Sequence, residues 1–93
     1  MVRNPDQQLA DLFRETGLAH HRAFASTNGD DPDWPDWYAQ YLLPRLQELL
    51  GRPFDLQTVA RDLRAMDADH RGTGAREPWP EFYARSFPGR YAR

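Results

Sequence analysis

The sequence contains no cysteine. Disulfide bonds, thiolate metal sites and cysteine nucleophiles are therefore excluded. A cysteine-free composition is compatible with a reducing compartment, and we predict a cytoplasmic protein. The first residues, MVRNPDQQ, lack the apolar segment of a signal peptide. No run approaches the ~18 consecutive apolar residues of a membrane span, so we expect no membrane association.

Lysine is also absent, because all twelve basic residues are arginine. A GC-rich genome is the simplest explanation for this bias. Residues 1–50 carry four arginines against eight acids, and residues 51–93 carry eight arginines against six acids. The overall net charge of −2 is far from the strongly basic balance of nucleic-acid-binding domains, so the composition argues against a nucleic acid partner.

Aromatic residues are abundant, at 13% of the 93 residues, and 40% of the chain is hydrophobic. Each buried aromatic side chain removes about 150–250 Å² from water, so a dozen of them are enough for one modest core. This length predicts a single domain over residues 1–93, since a second core would have too few residues.

Spacing of the apolar residues predicts helices. Asn4 and Pro5 form an N-cap and first-turn proline for helix one. One face of this helix then carries Leu9, Leu12, Phe13, Thr16, His20, Ala23 and Phe24. Gly17 interrupts it at a cost of roughly 1 kcal/mol relative to alanine, and Asn28-Gly29 predicts the turn that follows.

Helices two and three have similar signals. Asp33 or Trp34 is expected to cap helix two and Gly51 to end it, with Pro44 kinking its middle. Its inward residues are predicted to be Trp34, Tyr38, Tyr41, Leu42, Leu46 and Leu49.

Helix three is expected to be capped by Asp55. The apolar stripe of this helix is predicted to be Leu56, Val59, Ala60, Leu63 and Met66. "DHRGTGARE" then predicts a loop.

A six-residue pattern occurs twice. Residues 34–39, "WPDWYA", match residues 79–84, "WPEFYA", and we call these the first and second cassettes. Each combines an apolar anchor, a first-turn proline, an acid and aromatics, which is typical of a helix start. A structural role is therefore predicted for Trp34, Pro35, Trp79, Pro80, Phe82 and Tyr83. Pro88-Gly89 is expected to end helix four.

These signals together predict an all-α fold of four helices. We expect two pseudo-repeated helix–loop–helix units, about residues 5–50 and 54–88, because a lone unit could not bury its apolar stripe. The stretch from His20 to about Leu46 also resembles short bacterial proteins of uncharacterised function, which have a His-rich helix followed by a "DPxWPxWYAxYL" segment. The resemblance implies a helical fold and brings no activity, cofactor or catalytic residue.

The adjacent histidines, His20 and His21, are the first candidates for chemistry. Adjacent helical residues point in different directions, so they form a poor metal site alone. We interpret His20 as buried and satisfied by a tyrosine hydroxyl or a carbonyl, and His21 as a surface residue. A metal site with His21 and Asp31 is a weaker alternative, as is acid–base catalysis. The acids of the 30–36 segment are assigned to the helix dipole, since Pro32 disrupts an EF-hand pattern.

Trp37 lies about 100° from the inward stripe of helix two. It either packs against the core or forms a partner surface. The sequence therefore favours a small non-catalytic binding or interaction protein that forms a homodimer or binds an unidentified protein. The predicted surface comprises Trp37, Tyr38, Tyr41, Leu43, Leu50, His20 and His21. The alternative is a metal- or ligand-binding protein or enzyme with a pocket of His20 or His21, Asp31, Tyr38 and Tyr41 between helices one and two. No catalytic residue or cofactor is identified.

Overall fold

The computed structural model describes residues 5–74 and 76–91. These ranges contain four α-helices and a short 3₁₀ turn, and no strand. The helices are α1 (Pro5–Ala23), α2 (Trp34–Leu50), α3 (Leu56–Gly72) and α4 (Trp79–Tyr91), and the 3₁₀ turn spans Ala25–Thr27. The main contacts join α1 to α2, α2 to α3, α3 to α4 and α4 to α1. The predicted all-α, four-helix fold is confirmed.

All four helices contribute to one core. Its buried apolar residues are Leu9, Ala10, Phe13, Ala39, Leu42, Leu46, Val59, Ala60, Leu63, Met66, Phe82, Tyr83, Ala84 and Phe87. Phe13 meets Tyr83 and Phe87 edge to face, at ring centroid distances of 5.7 and 6.1 Å. Aromatic pairs thus join α1 to α4. Within the described ranges, no helix has the length and apolarity needed to cross a membrane.

Local signals set several helix ends as expected. Asp55 caps α3, because its Oδ2 accepts hydrogen bonds from the Thr58 N–H at 2.9 Å and the Thr58 hydroxyl at 3.0 Å. Gly51 ends α2 in the left-handed region, with φ of 66°, where glycine is favoured. Asp33 is the N-cap of α2, but its side chain makes no capping hydrogen bond. The predicted Asn4 cap lies outside the described residues.

Two boundary predictions are wrong. Helix α4 does not end at Pro88-Gly89 but continues through Pro88 to Tyr91. A proline removes one backbone hydrogen bond, and the buried Phe87 beside it keeps this turn packed against the core. Helix α3 likewise continues to Gly72, inside the predicted "DHRGTGARE" loop. Pro44 lies within α2, which runs unbroken to Leu50.

The buried stripe of α3 also differs from the prediction at its first position. Leu56 is 38% exposed, since the buried stripe starts one turn later at Val59. Asp62, which the pattern placed outside the stripe, is buried at 3% exposure.

Candidate functional site

The end of α1, the loop that follows it and the first turns of α2 form a compact group, which we call the histidine cluster: His20, Phe24, Asp31, Trp37 and Tyr38. His20 Nε2 lies 3.1 Å from Asp31 Oδ2, and the two side chains are only 9% and 10% exposed. The other carboxylate oxygen, Oδ1, accepts the Asp33 N–H at 3.1 Å. Asp31 therefore ties the last turn of α1 to the start of α2.

Aromatic rings enclose the His20 imidazole. It stacks on Phe24 with ring centroids 4.7 Å apart, and it meets the edge of Trp37 at 5.2 Å. Tyr38 lies at the same centroid distance of 5.2 Å. The imidazole is thus held by packing on several sides and by one carboxylate.

The structure brings together part of the predicted His/Asp/Tyr pocket. His20, Asp31 and Tyr38 share the histidine cluster, and His20 is buried as expected. Its partner, however, is the Asp31 carboxylate rather than a tyrosine hydroxyl or a carbonyl. His21 is exposed, with Nδ1 close to Gly29. Among the residues that the structure describes, no group of three or more His, Cys, Asp or Glu is placed to hold a metal ion.

The other predicted surface residues have different surroundings. Trp37 stacks on Tyr41, with ring centroids 5.6 Å apart and planes inclined by 11°. The Arg45 guanidinium lies 3.8 Å from the centre of the Tyr41 ring, and the Tyr41 hydroxyl donates to Glu15 Oε2 at 2.9 Å. Burial and this hydrogen bond raise the pKa of the Tyr41 phenol. Trp37, Tyr41 and Arg45 therefore form a half-exposed row along α2, which we call the α2 row.

Leu43 and Leu50 are not part of the α2 row. Both are half-buried and pack against the hydrophobic core. The helical positions of Trp37 and Leu43 differ by six residues, which places them about 120° apart around the helix axis.

A second aromatic group lies between the two cassettes. It lines a solvent-open cavity of about 270 Å³, which we call the Trp–Pro cavity after the Trp-Pro start of each cassette. Its lining residues are Trp34, Tyr38, Asp67, His70, Arg71, Trp79 and Tyr83. The Trp and Tyr of each cassette meet edge to face, with centroids 5.2 Å apart in the first and 5.1 Å in the second. Tyr38 and Trp79 join the cassettes at 6.1 Å.

The polar groups of the cavity come mainly from α3. Asp67 accepts the Tyr83 hydroxyl at 3.4 Å and lies 3.2 Å from Arg71 Nε. His70 Nε2 lies 2.7 Å from the Glu77 carbonyl oxygen, so this nitrogen carries a proton and donates.

The tyrosines of the cavity stay neutral. Burial, and then the nearby Asp67 carboxylate, raise the pKa of Tyr83 well above its ordinary value. The same two causes, in the same order, raise the pKa of Tyr38. Burial and a nearby negative charge both disfavour the phenolate, so the two causes act in the same direction.

Gly17 brings α1 close to the second cassette. A Cβ at this position would lie 2.7 Å from Cζ2 of Trp79, which is inside any real contact distance. The glycine that weakens α1 in the sequence pattern therefore makes room for the indole. Sequence reasoning missed this role, and it missed Asp67 as a partner of Tyr83, because both depend on residues brought together from distant parts of the chain.

The structure also has a groove between α1 and α2. The groove has a volume of about 600 Å³ and is lined by Gln8, Asp11, Leu12, Glu15, Arg45, Glu48 and Leu49. It is larger than the Trp–Pro cavity but has no aromatic wall, and it contains neither His20 nor Asp31.

Comparison with known proteins finds no matching family model, no matching curated protein and no matching solved structure. The functional argument therefore starts from the side-chain geometry.

Proposed function

We propose that this chain is a small non-catalytic binding protein and that the Trp–Pro cavity holds its ligand. One observation carries the proposal: both cassettes direct a tryptophan and a tyrosine to the wall of the same cavity. In this proposal the cassettes act as an internal repeat, since each supplies an equivalent pair of rings. Trp and Tyr give large contact areas at low entropic cost and dominate binding hot spots.

The ionisable groups of the cavity support binding rather than catalysis. Asp67 is engaged by Tyr83 and Arg71, and His70 donates to a backbone carbonyl. A general base or nucleophile needs a group that is free to meet the substrate and has a pKa near the working pH. The phenols instead have raised pKa values, which keep them protonated.

The size of the cavity limits the ligand. Small-molecule sites usually measure about 300–1,000 Å³, so a cavity of about 270 Å³ accepts a head group or one side chain. A nucleotide or another large cofactor would extend beyond it.

Binding at this site is testable by heteronuclear NMR of the three indole N–H signals, assigned with single Trp→Phe variants. Trp34 and Trp79 line the cavity, whereas Trp37 packs in the histidine cluster and serves as an internal control. We expect ligands from a chemically diverse fragment panel to shift the Trp34 and Trp79 signals and to leave Trp37 nearly unchanged. A panel that shifts none of the three signals, or all three equally, would contradict the proposal.

Self-association is a second candidate, favoured by the α2 row. The row includes the base Arg45 and borders the acid Glu15, a combination that lets a patch pair with its own copy about a twofold axis. We expect a homodimer in sedimentation experiments at high protein concentration and a monomer for Trp37→Ala. A wild-type protein that stays monomeric at millimolar concentration would rule out this candidate.

We also propose that the protein works in the cytoplasm. The absence of cysteine supports this location, because it leaves the fold independent of the redox state. Fractionation of cells that produce the native chain would test it, and recovery outside the cytoplasm would contradict it.

A further inference from the structure

We infer that the Trp–Pro cavity binds a methylated ammonium group, an inference that rests on the binding function proposed above. The ligand class follows from three features of the cavity: its ring composition, its one carboxylate and its small size.

The rings provide the attraction. Trp34, Tyr38, Trp79 and Tyr83 come from two helix starts and line one space. Aromatic faces carry negative charge density, and they attract a cation that lies within about 6 Å of a ring centroid. Several Trp and Tyr rings around one space form the arrangement that recognises quaternary ammonium groups.

Charge complementarity comes from Asp67. Its side chain is 26% exposed, so the carboxylate is partly shielded from water at the cavity wall. Asp67 also adds, after the larger effect of burial, to the raised pKa of Tyr38 and Tyr83, so its charge reaches both phenols of the wall. A cation gains from this field, whereas an anion would be repelled.

Arg71 already pairs with Asp67 and would compete with a ligand cation for this carboxylate. Its Nε pairs with Asp67 at 3.2 Å, but its side chain is 74% exposed. Exposed ion pairs contribute little to stability, so a ligand cation can displace the guanidinium at small cost. The pair keeps Asp67 neutralised while the cavity is empty.

Methylation is favoured over a primary ammonium by the scarcity of acceptors. A primary ammonium carries three strongly hydrated donors that must be satisfied after desolvation. Displacement of Arg71 frees only Oδ2 of Asp67, because Oδ1 still accepts from the Tyr83 hydroxyl, and three donors cannot be satisfied there. Methyl groups remove the donors, keep the charge and contact the rings directly.

Choline is the probe, and its neutral carbon isostere dimethylbutanol is the matched control. Calorimetry at fixed ionic strength measures affinity, and the indole NMR signals locate the site. We expect choline to shift Trp34 and Trp79 but not Trp37, and to bind about tenfold more tightly than the isostere. Equal affinities for the two probes would overturn the inference.

Two substitutions on α3 test whether the charge of the cavity, rather than its shape, determines choline affinity. Asp67→Asn keeps the shape and an acceptor but removes the charge, so choline affinity should fall about fivefold to tenfold while the isostere is unaffected. Arg71→Ala removes the competing cation and should raise choline affinity several-fold. Arg64→Ala, which removes an exposed arginine of the same helix, is the control and should change nothing.

The outcomes distinguish this inference from the proposed function. If neutral fragments shift Trp34 and Trp79 but choline does not, the cation class is wrong and the binding cavity stands. If Asp67→Asn leaves choline binding intact, the electrostatic basis is wrong. If no probe of either kind reaches these indoles in the folded protein, both proposals fail.

Discussion

The two cassettes begin two different helices with the same ring geometry. Trp34 and Tyr38 open α2, and Trp79 and Tyr83 open α4, each pair meeting edge to face at almost the same distance. The prolines at the second position are buried in both, and so are the alanines at the sixth. One chemical solution for starting and anchoring a helix is thus used twice in the same core.

The fourth residue of each cassette contacts a histidine from the preceding helix. Trp37 meets His20 at 5.2 Å, and Phe82 meets His70 at 4.9 Å, both edge to face. The correspondence therefore extends from the cassettes to the helices before them.

The hydrogen-bond partners of these histidines differ. His20 is bound by the Asp31 side chain, whereas His70 is bound by the backbone carbonyl of Glu77. The same packing unit is held once by a side chain that substitution can remove and once by a backbone group that it cannot. A substitution at Asp31 can therefore remove the hydrogen bond of His20, whereas no substitution at Glu77 removes the carbonyl that binds His70.

The largest expected contrast is at the fourth cassette position. Phe82 is 7% exposed, and Phe82→Ala should lower the free energy of unfolding by about 3–5 kcal/mol through cavity formation. Trp37 is half-buried, so Trp37→Ala should cost roughly half as much. Urea denaturation measures both values, and equal losses would mean that the two positions are energetically equivalent.

Removal of the Asp31 side chain should weaken the His20 contact, whereas removal of the Glu77 side chain should leave the His70 contact in place. Asp31→Ala leaves His20 buried without its carboxylate and should destabilise the protein by about 1.5–3 kcal/mol. Glu77→Ala keeps the carbonyl that binds His70 and loses only the exposed pair with Arg85, so it should cost less than about 1 kcal/mol. Asp30→Ala, at the exposed neighbour of Asp31, is the control for a charge change in the loop. An Asp31→Ala protein as stable as the control would show that the buried pair contributes nothing.

A substitution at Gly17 tests how closely the second cassette packs on α1. Alanine gains about 1 kcal/mol of helix propensity, but its Cβ collides with Trp79, and such overpacking costs about 1–3 kcal/mol. We expect Gly17→Ala to lower the thermal midpoint and to shift Trp79 fluorescence. Gly72→Ala, a helical glycine with open space around it, should instead leave stability unchanged or raise it. Stabilisation by both substitutions would mean that the indole moves aside freely.

The smallest expected difference is between Tyr38 and Tyr83, and it should appear only at high pH. Both phenols are neutral at pH 7, and their pKa values are raised. A raised folded-state pKa means that the unfolded chain ionises first, so stability is complete below about pH 10 and falls as the pH rises further. Tyr83, the more deeply buried phenol, should dominate this loss. Tyr83→Phe should therefore flatten the decline of the thermal midpoint above about pH 10 more than Tyr38→Phe does. Equal effects would contradict the ranking of the two environments.

Short-range patterns in the sequence were enough to predict the helix count and most helix starts. Asp55 caps α3 because Thr58 follows three residues later, which is a local relation. The cassettes also start helices through neighbouring residues. The extension of α4 beyond Pro88 was not predictable in this way, because packing of Phe87 outweighs a local stop signal.

The candidate sites were predicted only in part. The sequence placed His20 on a buried face and named Asp31, but it could not show that a 3₁₀ turn would bring the carboxylate back to the ring. The Trp–Pro cavity depends on the packing of α2, α3 and α4 around it. Such long-range proximity leaves no periodic signal in one sequence, so Asp67 and Tyr83 could not be paired in advance.

The contact between Gly17 and Trp79 also bears on how α4 is aligned along α1. The bare backbone at Gly17 leaves room for the Trp79 indole, so this contact favours the observed axial position of α4 along α1. Sliding α4 by one helical turn would press that indole against a side chain instead. A single hydrogen atom in place of a methyl group thus distinguishes the correct assembly from its shifted counterpart.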